Sequence, residues 1–511
     1  MFMKNNMKII PLLCAVITSV ALAREQPNII LIVADDLGYG DTGVYGSDIK
    51  TPNVDRLAAS GVRAIDAHAA SGVCTPSRYA MITGQYYYGN WNGELLVEPE
   101  RGTIATVLKD NGYKTGYFGK WHLGWGQNTE GRKYRADIDW NTTLPAGVLE
   151  SGFDYFFGTP FSHNESPMLF VRNRDVIGLE ADDPISVIGP KDPGGAPHGK
   201  SFGGEKAHAA RPTDRIDLVV VDEMVEWIKE NKDDPFFATF CLVAPHVPLA
   251  VAKEFQGKSN AGVYGDYIMQ MDDCIGQVLD TLDELDLTDD TLIIFTSDNG
   301  AVLHQHAVSL GHHGNGVLLG QKTDAWEGGH RVPFIASWPG QIPEGETTDS
   351  LISLIDLCKT VWAAAKITEW PATAATSSVN QLPALLNPKG ESVRDGVYAL
   401  GTSGYIVREG EWVYIPRQGS GGLTLPANNH WTPVLYTLGF DNSDYDENLE
   451  LKPDAPETQL YNLTEDLSQS KNVIRDHPEK AEMLQQKYAQ FMKSMSQEYT
   501  QKLQRRKLKQ D

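Results

Sequence analysis

Cysteine is scarce in this chain, with five among 511 residues. So few cysteines exclude a small disulfide-stabilised scaffold, and the length allows one or two domains with a substantial core. Cys241, Cys274 and Cys358 lie in apolar, regularly patterned segments, which predicts buried free thiols. Cys14 falls within an N-terminal apolar run. Cys74 fits neither pattern and is therefore the unusual cysteine.

Long apolar runs are also rare. One run, Ile9 to Leu22, lies near the N-terminus, with Lys4 and Lys8 before it and Ala21-Leu22-Ala23 at its end. This order is typical of a secretory signal peptide, here residues 1–23. A membrane-spanning helix needs about 20 apolar residues, and no later stretch is apolar enough. We therefore expect an exported protein, periplasmic or secreted, without a membrane partner.

Positive charge is in short supply, because 44 Lys and Arg face 67 Asp and Glu, for a formal net charge of −23. This balance argues against nucleic acid and anionic membranes as partners. Charges beyond about 8 Å are screened at physiological ionic strength, so an anionic substrate would need cations concentrated locally. The aperiodic segment Ala181 to Thr213 is locally basic, and a loop this long is often functional. Its basic side chains are Lys191, Lys200, Lys206 and Arg211.

Short continuous apolar runs alternate with helical patterns through the first three quarters of the chain. Such runs are buried on both faces, which predicts an α/β fold with a large, mixed, mostly parallel sheet sandwiched by helices. The predicted strands are Asn28 to Ala34, Phe236 to Ala244, Leu292 to Thr296 and Pro333 to Ser337. The predicted helices are Asn53 to Ser60, Ile104 to Asn111, Asp217 to Asn231 and Tyr264 to Glu284.

The composition changes between Ala372 and Pro388, where Ala, Thr, Ser, Asn and Pro dominate. This change predicts a boundary between a main domain at 24–385 and a smaller C-terminal α+β domain at 386–511. Short alternating strands of an antiparallel sheet and an amphipathic helix from His477 to about Leu503 are predicted there. The predicted strands are Val397 to Leu400, Gly404 to Arg408, Glu411 to Ile415 and Gln459 to Leu463.

Polar side chains with oxygen donors follow two of the predicted strands. Asp35 and Asp36 come directly after the first strand, and Asp298 and Asn299 follow a later one. The carboxyl ends of parallel strands are where α/β sheets place their ligands. Three carboxylates and one amide suit Ca²⁺ or Mg²⁺, and no Cys/His pattern indicates zinc. Asp35 and Asp36 alone could instead be a helix N-cap or a turn.

The segment Cys74-Thr75-Pro76-Ser77-Arg78 resembles the Cys-x-Pro-x-Arg signature of the type I sulfatases, in the alkaline phosphatase superfamily. Taken alone, so short a motif is equally compatible with a buried structural thiol. The resemblance extends over nearly all of the chain after residue 23, because further family motifs follow in the family's order. These are Gly119-Lys120-Trp121-His122-Leu123-Gly124, Pro160-Phe161-Ser162-His163, Ala244-Pro245-His246-Val247-Pro248, and Gly320-Gln321-Lys322 with Trp326 to Pro333.

The resemblance implies an alkaline phosphatase-like fold and a sulfuric ester hydrolase whose catalytic domain is residues 24–385. It also implies that a maturation enzyme converts Cys74 to formylglycine, whose hydrated aldehyde attacks sulfur. The implied metal ligands, for Ca²⁺ or Mg²⁺, are Asp35, Asp36, Asp298, Asn299 and the converted Cys74. The implied catalytic residues are Cys74, Arg78, Lys120, His122, His246 and Lys322.

The family mechanism implies a role for each of these groups. Lys120 and Lys322 bind sulfate oxygens, and Arg78 holds the hydrate and the metal carboxylates. His246 protonates the departing alcohol, and His122 removes a proton so that sulfate is eliminated. The predicted substrate contacts are Lys120, His246, Lys322, Ser162, His163 and His312, with His313 and Trp326 as further cleft residues.

The expected substrate is a sulfated carbohydrate, a polysaccharide fragment such as carrageenan, ulvan or a glycosaminoglycan, with a marine algal glycan such as carrageenan or ulvan as the first choice. A phosphodiesterase or phosphonate monoester hydrolase of the same superfamily is the alternative, because some of its members share the cysteine motif. A third hypothesis is a protein that binds sulfated glycans without catalysis. The full set of ligand and acid–base residues argues against it.

Overall fold

The parts of the chain that this computed structural model describes are residues 26–89, 95–126, 138–185, 204–424 and 432–508. The predicted signal peptide, residues 1–23, lies outside them. Within the described ranges, no helix has the length and apolar character needed to cross a membrane. The four cysteines of these ranges, Cys74, Cys241, Cys274 and Cys358, are buried free thiols, which confirms the prediction for the last three.

A ten-stranded mixed sheet forms the centre of the fold, with strand order β11-β2-β10-β9-β1-β8-β4-β5-β6-β7. Its strands are β1 (Asn28–Asp35), β2 (Gly61–Ala64), β4 (Lys114–Lys120), β5 (Tyr155–Thr159), β6 (Val171–Arg172), β7 (Asp175–Val176), β8 (Phe236–Pro245), β9 (Thr291–Ser297), β10 (Phe334–Ser337) and β11 (Glu346–Thr348). A separate pair joins β3 (Ala67–His68) to β12 (Ile352–Ser353). The central strands β9, β1, β8, β4 and β5 are all parallel, which confirms the predicted sheet.

Helices pack on both faces of this sheet, and the described residues of this part of the chain form ten α-helices. These are α1 (Pro52–Ala59), α2 (Cys74–Thr83), α3 (Ile104–Asp110), α4 (Glu205–Ala209), α5 (Ile216–Asn231), α6 (Gly262–Glu284), α7 (Gln305–Ser309), α8 (Glu327–His330), α9 (Leu357–Ala364) and α10 (Leu382–Leu386). Successive β1 side chains point to opposite faces. Ile29 packs into a core with α3 and α9, whereas Ile30 packs into a second core with α1, α5 and α6. Every residue of β1 is therefore apolar or buried because each face of the strand packs into its own core.

The strand β4 was not among the predicted strands, although it lies near the centre of the sheet. Gly116 and Gly119 interrupt its sequence, so it lacks the continuous apolar run of its neighbours. Gly119 has φ +99°, and a Cβ there would lie 1.9 Å from the carbonyl oxygen of Cys241 in β8. The glycine is therefore required for the close approach of two backbones, a need that periodicity does not reveal.

The C-terminal part contains a four-stranded antiparallel sheet, as predicted, and ends in a long helix. Its elements are β13 (Gly396–Gly401), β14 (Gly404–Glu409), β15 (Trp412–Ile415), β16 (Gln459–Asn462), α11 (Thr432–Thr437) and α12 (Pro478–Leu508). One face of the sheet packs on α12 through Leu484. The other face packs on Trp326, which is fully buried and donates its Nε1 hydrogen to Gln459 Oε1 at 3.0 Å. Trp326 is therefore a core residue, and its prediction as a cleft residue is wrong.

Part of the predicted basic loop lies outside the described residues, since residues 186–203 are not described. In the rest, the short helix α4 replaces the expected irregular chain. Lys206 pairs with Glu180 and Asp182, and Arg211 is buried. The charge of Lys206 is therefore offset by two carboxylates and that of Arg211 is removed from the surface, so neither adds to the basic character that the local charge predicts.

We expect Gly119→Ala to destabilise the protein strongly, because the added Cβ would overlap the β8 backbone at the centre of the sheet. Gly112→Ala is the matched control, since Gly112 also has a positive φ of +90° but has open space around its Cβ position. The control should cost about 1–2 kcal/mol of unfolding free energy from backbone strain alone. Gly119→Ala should cost at least about 2 kcal/mol more in denaturant titrations. Equal costs for the two variants would contradict the close approach.

Candidate active site

The predicted oxygen ligands lie together at the carboxyl ends of β1 and β9, which pair in parallel up to Ala34 and Ser297. The backbone N–H of Asp36 donates to Asp298 Oδ1 at 3.2 Å, and Asn299 Nδ2 donates to Asp36 Oδ1 at 2.7 Å. Asp36 has φ +65°, an unusual conformation for a residue other than glycine. The carboxylate of Asp36, in the turn that follows β1, thus contacts the turn that follows β9.

Cys74 is the first residue of α2, and its side chain faces this carboxylate cluster. Its Sγ lies 3.6 Å from Asp35 Oδ1 and 3.9 Å from Asp36 Oδ1. Burial raises the pKa of the thiol to about 12, although Lys120 and Lys322 oppose this shift. The thiol is therefore uncharged at neutral pH.

Arg78 lies one helical turn after Cys74, as the motif spacing implies. Its Nε donates to Asp298 Oδ2 at 2.8 Å, and its Nη1 donates to the carbonyl oxygen of Lys120 at 3.0 Å. Burial raises the pKa of Asp298 to about 6, and the guanidinium of Arg78 opposes that shift. Arg78 thus ties α2 to the turn after β9 and to the end of β4.

Two lysines pair with the two aspartates that follow β1. Lys120, the last residue of β4, is fully buried, and its Nζ lies 2.7 Å from Asp35 Oδ2. Lys322 Nζ lies 2.8 Å from Asp36 Oδ1. Burial favours the neutral form of every one of these groups, but the carboxylate partners hold the pKa of each lysine above its usual value. The lysines thus stay cationic beside Cys74.

His246 follows the carboxyl end of β8 and approaches the same cluster. Its Nδ1 donates to the carbonyl oxygen of Val247 at 2.7 Å, and its Nε2 lies 3.6 Å from Asp36 Oδ2. A carbonyl oxygen only accepts, so the neutral ring carries its proton on Nδ1. Burial and then Lys322 lower its pKa, against the pull of Asp36. His246 is therefore ready to release a proton from Nε2 once protonated.

His122 lies just beyond β4, with φ +57°, and pairs with a residue that sequence reasoning missed. Its Nε2 lies 3.1 Å from Glu165 Oε2. Burial lowers the pKa of His122 to about 4, while Glu165 acts in the opposite direction. The Ser-x-x-Glu spacing from Ser162 to Glu165, which is typical of a turn closed by a glutamate, was the available signal.

The remaining predicted contacts lie around this centre. Ser162 is buried in the turn after β5, next to the His122 loop. His163 is fully buried, with its Nδ1 3.4 Å from the carbonyl oxygen of His246 and 3.3 Å from the Tyr267 hydroxyl. This placement favours support of His246 over direct contact with a substrate. His312 binds Asp41 Oδ1 through Nε2 at 2.7 Å, at the wall of a cavity of about 640 Å³ that exposed His313 also lines.

The donor set fits a divalent cation. Ligand atoms of Asp35, Asp36, Cys74 and His246 all lie within 4.8 Å of one another. Asn299 Oδ1 is buried and has no hydrogen-bond partner among the described residues. A buried carbonyl oxygen without a partner is costly, and a cation beside the aspartates would satisfy it. Hard oxygen donors of this kind suit Ca²⁺ or Mg²⁺.

A second cluster also has metal-ligand residue types, formed by buried His68, Glu327 and His330. Two guanidinium groups adjoin it. Arg331 Nη1 lies 3.1 Å from Glu327, and Arg408 Nη1 lies 2.8 Å from His68 Nε2. These cations already neutralise the glutamate and would repel a metal ion. We therefore interpret this cluster as the polar link between the two sheets.

The fold and the site define a hydrolase of the alkaline phosphatase superfamily. A sequence model of the sulfatase family matches residues 27–367, so the chain belongs to the sulfatase family. It is 33% identical to an N-acetylgalactosamine-6-O-sulfatase of Bacteroides thetaiotaomicron, over 89% of this chain and 91% of that one. It is 34% identical to human steryl-sulfatase over 66% of each chain. A solved structure from work on glycosaminoglycan metabolism by Bacteroides thetaiotaomicron matches with a TM-score of 0.79 and 33% identity, covering 92% of this chain and 99% of that one.

We expect Asn299→Ala to weaken Ca²⁺ binding at least about tenfold, because it removes the unpartnered oxygen beside the aspartates. Isothermal calorimetry on protein with unconverted Cys74 measures the Kd without relying on activity. Asn387→Ala, at an exposed asparagine that ends α10, is the matched control and should leave the Kd unchanged. An unchanged Kd in Asn299→Ala would remove Asn299 from the metal site.

Proposed function

We propose that this sulfatase hydrolyses sulfate esters of a sulfated carbohydrate, with a formylglycine made from Cys74 as nucleophile and Ca²⁺ as cofactor. The observation that supports this most directly is the position of Cys74 Sγ, within 4 Å of both Asp35 and Asp36 and close to the cations Lys120 and Lys322. The proposal includes export through residues 1–23 and conversion of Cys74 by a maturation enzyme. The machinery, from Asp35 to Lys322, lies within the proposed catalytic domain at 24–385.

The unconverted cysteine is poorly suited to be the nucleophile itself. The thiolate is the reactive form of cysteine, and hydrolases that use it lower the thiol pKa. Here burial raises the pKa of Cys74 to about 12. Two carboxylates next to Sγ further disfavour a thiolate, while they suit a bound cation. A hydrated aldehyde would supply an oxygen nucleophile at this position, and a divalent cation would polarise it.

The cations around Cys74 suit a sulfate group. A sulfate ester spreads its negative charge over several oxygens, and catalysis requires fixed positive groups where charge develops. Lys120 and Lys322 are held as cations by Asp35 and Asp36, and each ammonium has three N–H donors. We propose that they bind two sulfate oxygens while Arg78 holds α2 against Asp298. These local cations explain how a protein of net charge −23 accepts an anion.

The two histidines differ in a way that suits two proton transfers. His246 has a neutral backbone partner at Nδ1 and presents Nε2 towards Asp36. We propose that it protonates the leaving alcohol from Nε2, together with Lys322. His122 has a carboxylate partner, Glu165, and takes up the proton whose removal expels sulfate. Each proton transfer lowers the barrier of one half of the reaction.

The similar proteins narrow the choice of sulfated substrate. The relatives at 32–34% identity include N-acetylgalactosamine-6-sulfatases and a steryl-sulfatase. The match to the Bacteroides thetaiotaomicron enzyme covers most of both chains, whereas the match to the steryl-sulfatase covers two-thirds. We therefore propose a 6-O-sulfated N-acetylgalactosamine unit of a glycosaminoglycan fragment as the first substrate. Carrageenan and ulvan fragments, favoured by the sequence alone, become the second choice.

A panel of desalted oligosaccharides tests this proposal. We expect sulfate release to be fastest from 6-O-sulfated N-acetylgalactosamine, slower from carrageenan and ulvan fragments, and abolished by chelator or by Cys74→Ala. Matched aryl phosphodiesters and phosphonates belong to the same panel, with kcat/KM as the measurement. Faster phosphodiester turnover would reject the sulfatase substrate class, and faster carrageenan turnover would reject only the choice of sugar.

His246→Ala should slow sugar sulfates much more than aryl sulfates, because a phenolate leaves without protonation whereas a sugar alkoxide does not. We expect a loss in kcat of at least about 100-fold for the sugar substrate and a much smaller loss for the aryl one. His477→Ala, at an exposed histidine before α12, is the control and should change neither rate. Equal losses on both substrates would contradict the acid role of His246.

A further inference from the structure

The carboxylate of Glu165 makes a direct contact with the imidazole of His122. We infer that Glu165 is a positioning residue that fixes the tautomer of His122 and stabilises its protonated form. This inference rests on the proposed function, because it concerns the proton acceptor of that reaction.

The contact determines which ring nitrogen carries the proton. An ionised carboxylate only accepts hydrogen bonds, so the 3.1 Å contact with Glu165 Oε2 requires the hydrogen to be on Nε2 of His122. The neutral ring then has its lone pair on Nδ1. A proton taken up by His122 therefore enters at Nδ1, and the ion that forms keeps Glu165 as its partner.

Glu165 is also the negative charge that offsets cations near the ring. Burial lowers the pKa of His122 to about 4, and the nearby Lys120 and Arg78 act in the same direction. Glu165 opposes all three effects. Since a proton acceptor must hold its proton at least briefly, a histidine among these cations needs an anionic partner.

Backbone hydrogen bonds hold both the glutamate and the histidine in place. Glu165 Oε2 also accepts from the backbone N–H of Ser162 at 3.1 Å, and the Glu165 N–H donates to the Ser162 carbonyl at 3.0 Å. On the other side, the His122 N–H donates to the carbonyl oxygen of Pro160 at 3.1 Å. The pairing of β4 with β5 thus brings the histidine loop and the glutamate turn together.

The comparison with His246 supports the assignment. The hydrogen-bond partner of His246 Nδ1 is a backbone carbonyl, which orients the ring without adding a charge, and the nearest carboxylate, that of Asp36, lies 3.6 Å from Nε2 on the side that faces the cluster. The partner of His122 is a carboxylate, which favours the imidazolium. A neutral partner suits a proton donor, and an anionic partner suits a proton acceptor.

A spectroscopic test does not depend on turnover. We expect ¹⁵N chemical shifts of labelled histidine to show the Nε2–H tautomer for His122 in protein with unconverted Cys74, with the signal assigned by loss in His122→Gln. In Glu165→Met, which removes the acceptor, the shifts should move towards a mixture of tautomers. A retained Nε2–H tautomer in Glu165→Met would overturn the inference, whatever the activity.

Kinetics of the converted enzyme supply the second readout. Glu165→Gln, which keeps the shape but removes the charge, should lower kcat about 10- to 100-fold with KM within twofold. Since the impaired step follows alcohol release, an aryl sulfate should give a burst of phenol before slow turnover. Glu150→Gln is the matched control, because Glu150 also accepts from a backbone N–H, that of Gly147, and pairs with an arginine instead of a histidine.

The outcomes separate the two proposals. An inactive wild-type enzyme with full aldehyde content would count against the proposed function itself. An active wild type together with unchanged kcat in Glu165→Gln would overturn the inference alone. A loss of kcat accompanied by a lower melting temperature but without a burst or a tautomer change would show that Glu165 has only a structural role, which also overturns it.

Discussion

Two ion pairs, the fully buried Lys120–Asp35 pair and the largely buried Lys322–Asp36 pair, are the interactions on which the rest of the site depends. Removing charged groups from water costs several kcal/mol per ion, and a buried pair often adds little net stability. Asp35 and Asp36 are also neighbours of like charge, which adds repulsion. We infer that this costly arrangement serves catalysis and not stability, because it keeps cations and anions in fixed positions around Cys74.

The topology explains how one sheet assembles this set. Four adjacent strands, β9, β1, β8 and β4, run parallel and end at the same edge. Their carboxyl ends lead, respectively, to Asp298, to Asp35, to His246 and to Lys120 with His122. Helix α2 places Cys74 at the same edge. Arg78 holds this helix in place through hydrogen bonds to the end of β4 and to the turn after β9. Ligands in α/β sheets bind at such an edge because the strand ends converge there.

Sequence patterns predicted the sheet wherever a strand is a continuous apolar run, as in β1, β8 and β9. They missed β4, since its glycines serve a close backbone approach that no periodicity records. They also placed Trp326 in the cleft, although the C-terminal sheet covers it, because a contact between distant segments leaves no local signal. The oxygen donors and the lysines that meet at this edge were found from strand ends and family motifs. Glu165 was not, since its role depends on the spatial pairing of β4 with β5.

We propose that the oxidised form of Cys74, and not its thiol, is the nucleophile. Preparations with different degrees of conversion test it, with the aldehyde fraction of the Cys74 peptide measured by mass spectrometry and the rate of sulfate release measured on the same samples. We expect kcat per mole of protein to rise in proportion to the aldehyde fraction and to extrapolate to zero at zero conversion. Substantial turnover by protein whose Cys74 is entirely thiol would contradict the account.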